Sequence, residues 1–127
     1  MGLSRGVGRG QIARALVEAL AYQVRAMTDA FRTGSVELRE LRCDGGAAAM
    51  DLLLSLQATN SQVTTLRSST LEATARGAAS VAGLEIGLWG SLDELEATWH
   101  STSRFEPEDP LVVDAHYADW CRALERA

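Results

Sequence analysis

Asp44-Gly45-Gly46-Ala47 combines residue types and spacing that suit a bound anion. Leu41-Arg42-Cys43 before it reads as a strand end, and Ala47-Ala48-Ala49 after it as the start of a helix. Where a strand feeds a helix through consecutive glycines, the unpaired N–H groups of the first helical turn point outwards together, and the helix dipole adds partial positive charge. That geometry suits a phosphate. Asp44, at the strand terminus, has two readings: accepting hydrogen bonds that fix the turn, or helping to place a metal-bound phosphate. Asp-Gly-Gly by itself is also an ordinary turn sequence.

Other chemistry is sparse. The chain has no Gly-x-x-x-x-Gly-Lys-Ser/Thr phosphate loop, no Gly-x-Ser-x-Gly and no Cys-x-x-Cys. His100 and His116 stand in no metal-ligand spacing, and the nearby Glu96 and Asp114 read as solvated helix faces, which gives both imidazoles surface or packing roles. Cys43 and Cys121 are too few for a disulfide framework and read as buried, reduced thiols. Trp89, Trp99, Trp120, Tyr117 and Phe105 lie at helical spacing without interleaved basic residues, as packing anchors do and base-stacking platforms do not. Arg76, in an alanine-rich stretch, reads as a surface side chain with its charge in water.

The elements that must hold the turn follow from patterning. Four glycines and two arginines in Gly2–Gly10 make a lead-in loop, taken as residues 1–10. From Gln11 to Phe31 the spacing of Ile12, Leu16, Ala19, Leu20, Met27, Ala30 and Phe31 predicts a one-faced helix, with Arg14, Glu18 and Arg25 on its other side and Gly34 as its stop. Arg39–Cys43 is the better part of a strand, and Ala47–Thr59 a helix whose Leu52, Leu53, Leu54 and Leu56 nearly encircle it and require burial. Val63-Thr64-Thr65 marks a second strand within Gln62–Leu66. Leu71–Gly87 follows as a helix with a small-residue face of Ala75, Ala78, Ala79, Ala82 and Gly83. Ser91-Leu92-Asp93-Glu94 fits a capping box, and Asp109-Pro110 opens a last helix with a stripe of Val113, Tyr117, Trp120, Cys121 and Leu124. The division is an α/β core over residues 11–90 and a helical tail over 91–127. The alternation implies a parallel sheet, but two strands are too few for one, so the chain reads as half of a larger sheet.

Composition bounds the partners. In 127 residues, 46% hydrophobic and 23% charged, one core is expected. A formal net charge of −5 disfavours nucleic acid or an anionic membrane as partner. No apolar run approaches the ~20 residues of a membrane span, and the start lacks a signal-peptide core, so the default expectation is a cytoplasmic protein.

In order along the chain, Gly2-Leu3-Ser4-Arg5-Gly6, Arg14-Ala15 with Glu18 and Ala21-Tyr22-Gln23, Leu41-Arg42-Cys43-Asp44-Gly45-Gly46-Ala47, Gly77-Ala78-Ala79, Ala82-Gly83 and Gly87-Leu88-Trp89 resemble the C-terminal part of the FGGY carbohydrate kinases. Leu92-Asp93-Glu94-Leu95, Arg104-Phe105-Glu106-Pro107 and Tyr117-Ala118-Asp119-Trp120 point within that family to the glycerol kinase branch. The resemblance implies the C-terminal half of an actin/hexokinase-like (ribonuclease H-like) ATPase domain, with few parallel strands flanked by helices. By this analogy Asp44, Gly45, Gly46, Ala47 and Met50 line the nucleotide pocket, and ATP and magnesium serve phosphoryl transfer to a polyol in the complete kinase. In the family the aspartate base, the first phosphate hairpin and the polyol pocket precede the stretch that begins here at Met1. The implied partners are therefore ATP and an N-terminal kinase domain, or a second copy of the chain. The isolated chain is expected to be inactive, the alternative being a non-catalytic interaction module. Four positions depart from the family pattern: Met50 replaces an Asn that offers an amide to the nucleotide, Ser68-Ser69 replaces Pro-Glu, and Arg76 replaces Leu.

Overall fold

The computed structural model describes residues 3–126 apart from residue 71. Gly2, in the expected lead-in, and Leu71, the expected start of the third helix, lie outside the described residues. Among the described residues the order is α1 (Arg9–Thr33), β1 (Glu40–Cys43), a 3-10 turn (Gly46–Ala49), α2 (Asp51–Ser61), β2 (Thr64–Ser68), α3 (Ala73–Glu85), α4 (Leu92–Glu96), β3 (Ser101–Phe105) and α5 (Leu111–Leu124). It is an α/β chain with a small mixed sheet of order β1-β2-β3.

The unit that positions the turn is β1-α2-β2. β1 and β2 pair in parallel, from Glu40 opposite Thr64 to Cys43 opposite Arg67, and α2 makes the crossover that a parallel pair requires. α2 seats Leu53, Leu54 and Ala58 in the core with Val63 and Leu66 of the following segment. Burying each such leucine contributes roughly 1.5–3 kcal/mol, which is what fixes the helix against the sheet. Leu52, expected to be buried, is exposed, because packing on one side only leaves one quadrant of the leucine ring in solvent.

Three further expectations are corrected. The sheet is not wholly parallel: β3 pairs antiparallel with β2, from Thr65 opposite Phe105 to Ser68 opposite Ser101, within a tail expected to be helical. Ser-Thr-Ser-Arg-Phe lacks apolar alternation, so its strand state comes from pairing with β2. α1 does not bury its apolar stripe: Ile12, Leu16, Leu20, Met27 and Phe31 are exposed, while Ala21, Tyr22 and Thr28 on an adjoining face are buried. The face assigned to solvent is used, since Arg25 pairs with Asp114 of α5 at 2.6 Å and lies 4.2 Å from the Tyr117 ring centroid. Finally, Ala75, Ala78, Ala79 and Ala82 of α3 are exposed and only Ser80 and Gly83 of that helix are buried.

Other local readings agree with the structure. Ser91 Oγ accepts from Glu94 N at 3.1 Å, while the Glu94 carboxylate accepts from Gly90 N at 2.6 Å, one residue before the position in the ordinary reciprocal box. Leu111 N donates to Asp109 Oδ1 at 3.0 Å at the start of α5, with Pro110 just before the helix. Val113, Tyr117, Trp120 and Cys121 of its stripe are half-buried, Tyr117 and Trp120 clustering on Tyr22 of α1, while Leu124 is exposed. α1 stops at Gly34, but the left-handed residue is the next one, Ser35 with φ 61°.

Candidate functional site

The Gly-Gly turn stands at the carboxyl end of β1, the end of a parallel strand pair at which open α/β sheets present ligands. Gly45 has φ 84° and ψ 172°, a backbone region open essentially to glycine alone. Gly46 then starts a 3-10 turn closed by Ala48 N to Gly45 O and Met50 N to Ala47 O, each 3.1 Å. The glycines therefore do not sit at the N-terminus of α2 as expected. Met50, extended at ψ 107°, separates the two, and its carbonyl receives the first amides of α2, Leu53 N at 3.1 Å and Leu54 N at 3.3 Å.

What the turn offers is nonetheless a pair of donors. The N–H groups of Gly46 and Ala47 make no hydrogen bond among the described residues, and both residues are exposed. A Cβ built on Gly46 would meet nothing within 4 Å, so the fold itself does not require glycine there. Gly45 serves the chain's own conformation, and Gly46 keeps the outer side of the turn open to an approaching group.

Asp44 is exposed and its carboxylate makes no hydrogen bond among the described residues, so it does not fix the turn. It lines, with Arg42, Cys43, Ala47, Leu53 and Gln57, a cleft of about 310 Å³. Thus Asp44 and Ala47 meet at one cleft, Gly45 and Gly46 lie between them in sequence, and Met50, 41% exposed, is not among its lining residues. The Cys43 thiol lies 3.5 Å from Gln57 Oε1, and burial, then the Asp44 charge, pushes its pKa up, as suits a neutral thiol under the turn. Cys43 and Cys121 are both free and half-buried.

The side chain that organises this corner is Arg67. Its Nε donates to the Ala48 carbonyl at 2.7 Å, its Nη1 to Ser103 Oγ at 3.3 Å, and its Nη2 pairs with Asp51. Sequence patterning assigns Arg67 no role; the available signal was a basic residue within the short strand Thr64–Ser68. Arg76 likewise departs from expectation, since its Nη2 donates to both Thr98 O at 2.8 Å and Thr98 Oγ1 at 2.7 Å. His100 and His116 are exposed and assemble with no catalytic partner. No group of three or more His, Cys, Asp or Glu able to hold a metal ion forms among the described residues.

Residues 1–86 match the C-terminal domain of the FGGY family of carbohydrate kinases. The chain belongs to that family. A glycerol kinase of Gloeobacter violaceus is 47% identical over 129 residues, covering 100% of this chain and 26% of that relative. One of Aromatoleum aromaticum is 48% identical over 130 residues, covering 99% and 26%. The FGGY-family chain here thus spans about a quarter of the length of the curated relatives it matches. Among solved structures, Plasmodium falciparum glycerol kinase with ADP superposes at TM-score 0.81 and 30% identity, over 99% of this chain and 26% of that one. A ligand-bound xylulose kinase of Lactobacillus acidophilus, 16% identical, shares the fold at TM-score 0.83. The α/β arrangement around the FGGY turn is accordingly part of the actin/hexokinase-like fold implied by the sequence.

Proposed function

We propose that this chain is the nucleotide-binding C-terminal portion of an ATP-dependent carbohydrate kinase of the glycerol kinase type, and that it transfers no phosphoryl group by itself. The observation that carries the reading is Gly46: a glycine the fold does not need, with free N–H groups on it and on Ala47, at the carboxyl end of β1 in an FGGY-family domain. Those two N–H groups would donate to acceptor atoms of the nucleotide, and the missing Cβ lets the ligand reach the backbone. Gly45 sets the direction of both donors, and Ala47 with Asp44 walls the adjoining cleft.

ATP fits this turn as a ligand of backbone donors. Magnesium, when bound with ATP, would neutralise charge on the phosphates. Asp44 is the exposed carboxylate beside the turn, whereas Asp51 is committed to Arg67, so this chain has one acid on hand toward that ion. The general base and the polyol pocket are assigned to the remainder of the family's architecture. The corresponding partner is an N-terminal kinase domain or a second copy of the chain, in keeping with the exposed apolar stripe of α1. A cytoplasmic setting belongs to the same proposal; among the described residues no helix is long and apolar enough to cross a membrane.

Calorimetric titration with magnesium-ATP tests the reading. Binding by the unaltered chain, abolished in Gly46→Val, is the expected outcome, and the open space around Gly46 ensures that the variant folds. ATP-dependent glycerol phosphorylation by the pure chain would overturn its inactivity. Absence of binding, even beside a complementary N-terminal chain, favours the second reading of a non-catalytic interaction module. That reading draws on Met50, which carries no amide, on Ser68 and Ser69, and on the α1 stripe.

A further inference from the structure

The segment Gly45–Met50 buries Ala48 and has few hydrogen-bond ties to the rest of the molecule. Its backbone bonds are internal or lead into α2. The side-chain hydrogen bonds that hold it come from Arg67, whose planar fork reaches Ala48 O inside the 3-10 turn and the carboxylate of Asp51 immediately after Met50. The same guanidinium is anchored on β3, by Ser103 Oγ at 3.3 Å and by lying 5.3 Å from the Phe105 ring centroid. Its side chain is only 17% exposed, so these charge-assisted bonds are partly shielded from water. Three acceptors from three separate elements around one rigid cation fix a geometry that a lysine, with a single flexible ammonium, does not reproduce.

We propose that Arg67 is the positioning residue for the nucleotide-receiving turn, holding Gly45–Met50 against the sheet so that the Gly46 and Ala47 N–H groups converge on one ligand. This builds on the kinase reading above. Arg67 acts through the backbone of the turn and does not itself touch the nucleotide.

Two measurements on the full chain, hydrogen exchange and magnesium-ATP titration, test the proposal in Arg67→Lys and Asp51→Asn. In Arg67→Lys, exchange of the Ala48 and Met50 amides rises about tenfold and nucleotide affinity falls about tenfold, the scale of one lost charge-assisted bond. Exchange at Ala21, Tyr22 and Ala58 stays as in the unaltered chain, which separates positioning from general stability. Asp51→Asn, which removes the charge from one acceptor of three, shifts both readouts in the same direction by less. Unchanged exchange in the turn overturns the proposal, as does acceleration spread equally over β1, β2 and α2. A loosened turn with undiminished affinity overturns it too. If the unaltered chain binds no nucleotide, the kinase reading and the nucleotide part of this proposal fail together, while the exchange data still decide whether Arg67 holds the turn.

Discussion

α2 and α3 each follow a strand of the parallel pair, yet they attach to the molecule in opposite ways. α2 buries Leu53, Leu54 and Ala58, and even its polar end residues Thr59, Asn60 and Ser61. α3 buries only Ser80 and Gly83, the latter's missing side chain leaving room for the Trp89 ring, and is pinned by Arg76, bonded to Thr98. One helix is fixed by area, the other by pins. The turn that carries the candidate nucleotide donors belongs to the area-packed side, as expected for a site that depends on pre-set geometry.

Leu54→Ala tests the first half of that contrast most severely. At 1% exposure the deletion is expected to cost about 2–5 kcal/mol in urea unfolding, and loss of cooperative folding altogether would only sharpen the point. A cost below that of any α3 variant would break it. Gly83→Ala comes next, because its Cβ would clash with the Trp89 ring. Overpacking of about 1–3 kcal/mol is expected, read as a Trp89 fluorescence change with magnesium-ATP binding unaltered. Arg76→Met removes two hydrogen bonds to Thr98 and should cost about 1 kcal/mol, with faster amide exchange along α3 alone.

The smallest effect concerns pH. Burial raises the Cys43 thiol above its ordinary value, so the stability tied to keeping it neutral is fully present below that value and declines as pH rises through the shifted one. Iodoacetamide should therefore modify Cys43 appreciably only at a pH above that needed for a free thiol, and bound nucleotide should slow it further. Modification of Cys43 at the rate of free cysteine across the pH range would show that the cleft under the turn is open to solvent.

Local patterns identified the parallel pair, the crossover helix and the glycine turn. Their signals are short-range: β-branched residues in Val63-Thr64-Thr65, leucines through Leu52–Leu56, and two glycines at a strand end. β3 was not legible, because Ser101–Phe105 becomes a strand only by pairing with β2, across more than thirty residues of chain. The burial of α1 was misread for a related reason. Periodicity identifies that a face is apolar, but which face is covered depends on which neighbours are present, and α2 and α5 meet the face of Tyr22, Arg25 and Thr28.

In the candidate site the same division holds at atomic scale. The sequence alone determined that Asp44-Gly45-Gly46-Ala47 is a turn after a strand, and through resemblance that the chain belongs to the FGGY family. Backbone conformation separates the two glycines, Gly45 held at φ 84° for the chain's own path and Gly46 free for a ligand. Tertiary structure alone decided that Arg67 governs them, since its partners Ala48, Asp51 and Ser103 lie 19, 16 and 36 residues away in sequence. The physical reason is that a residue's own dihedral preferences are written locally, whereas a charged side chain acquires its partners only when packing brings separate elements within hydrogen-bond reach.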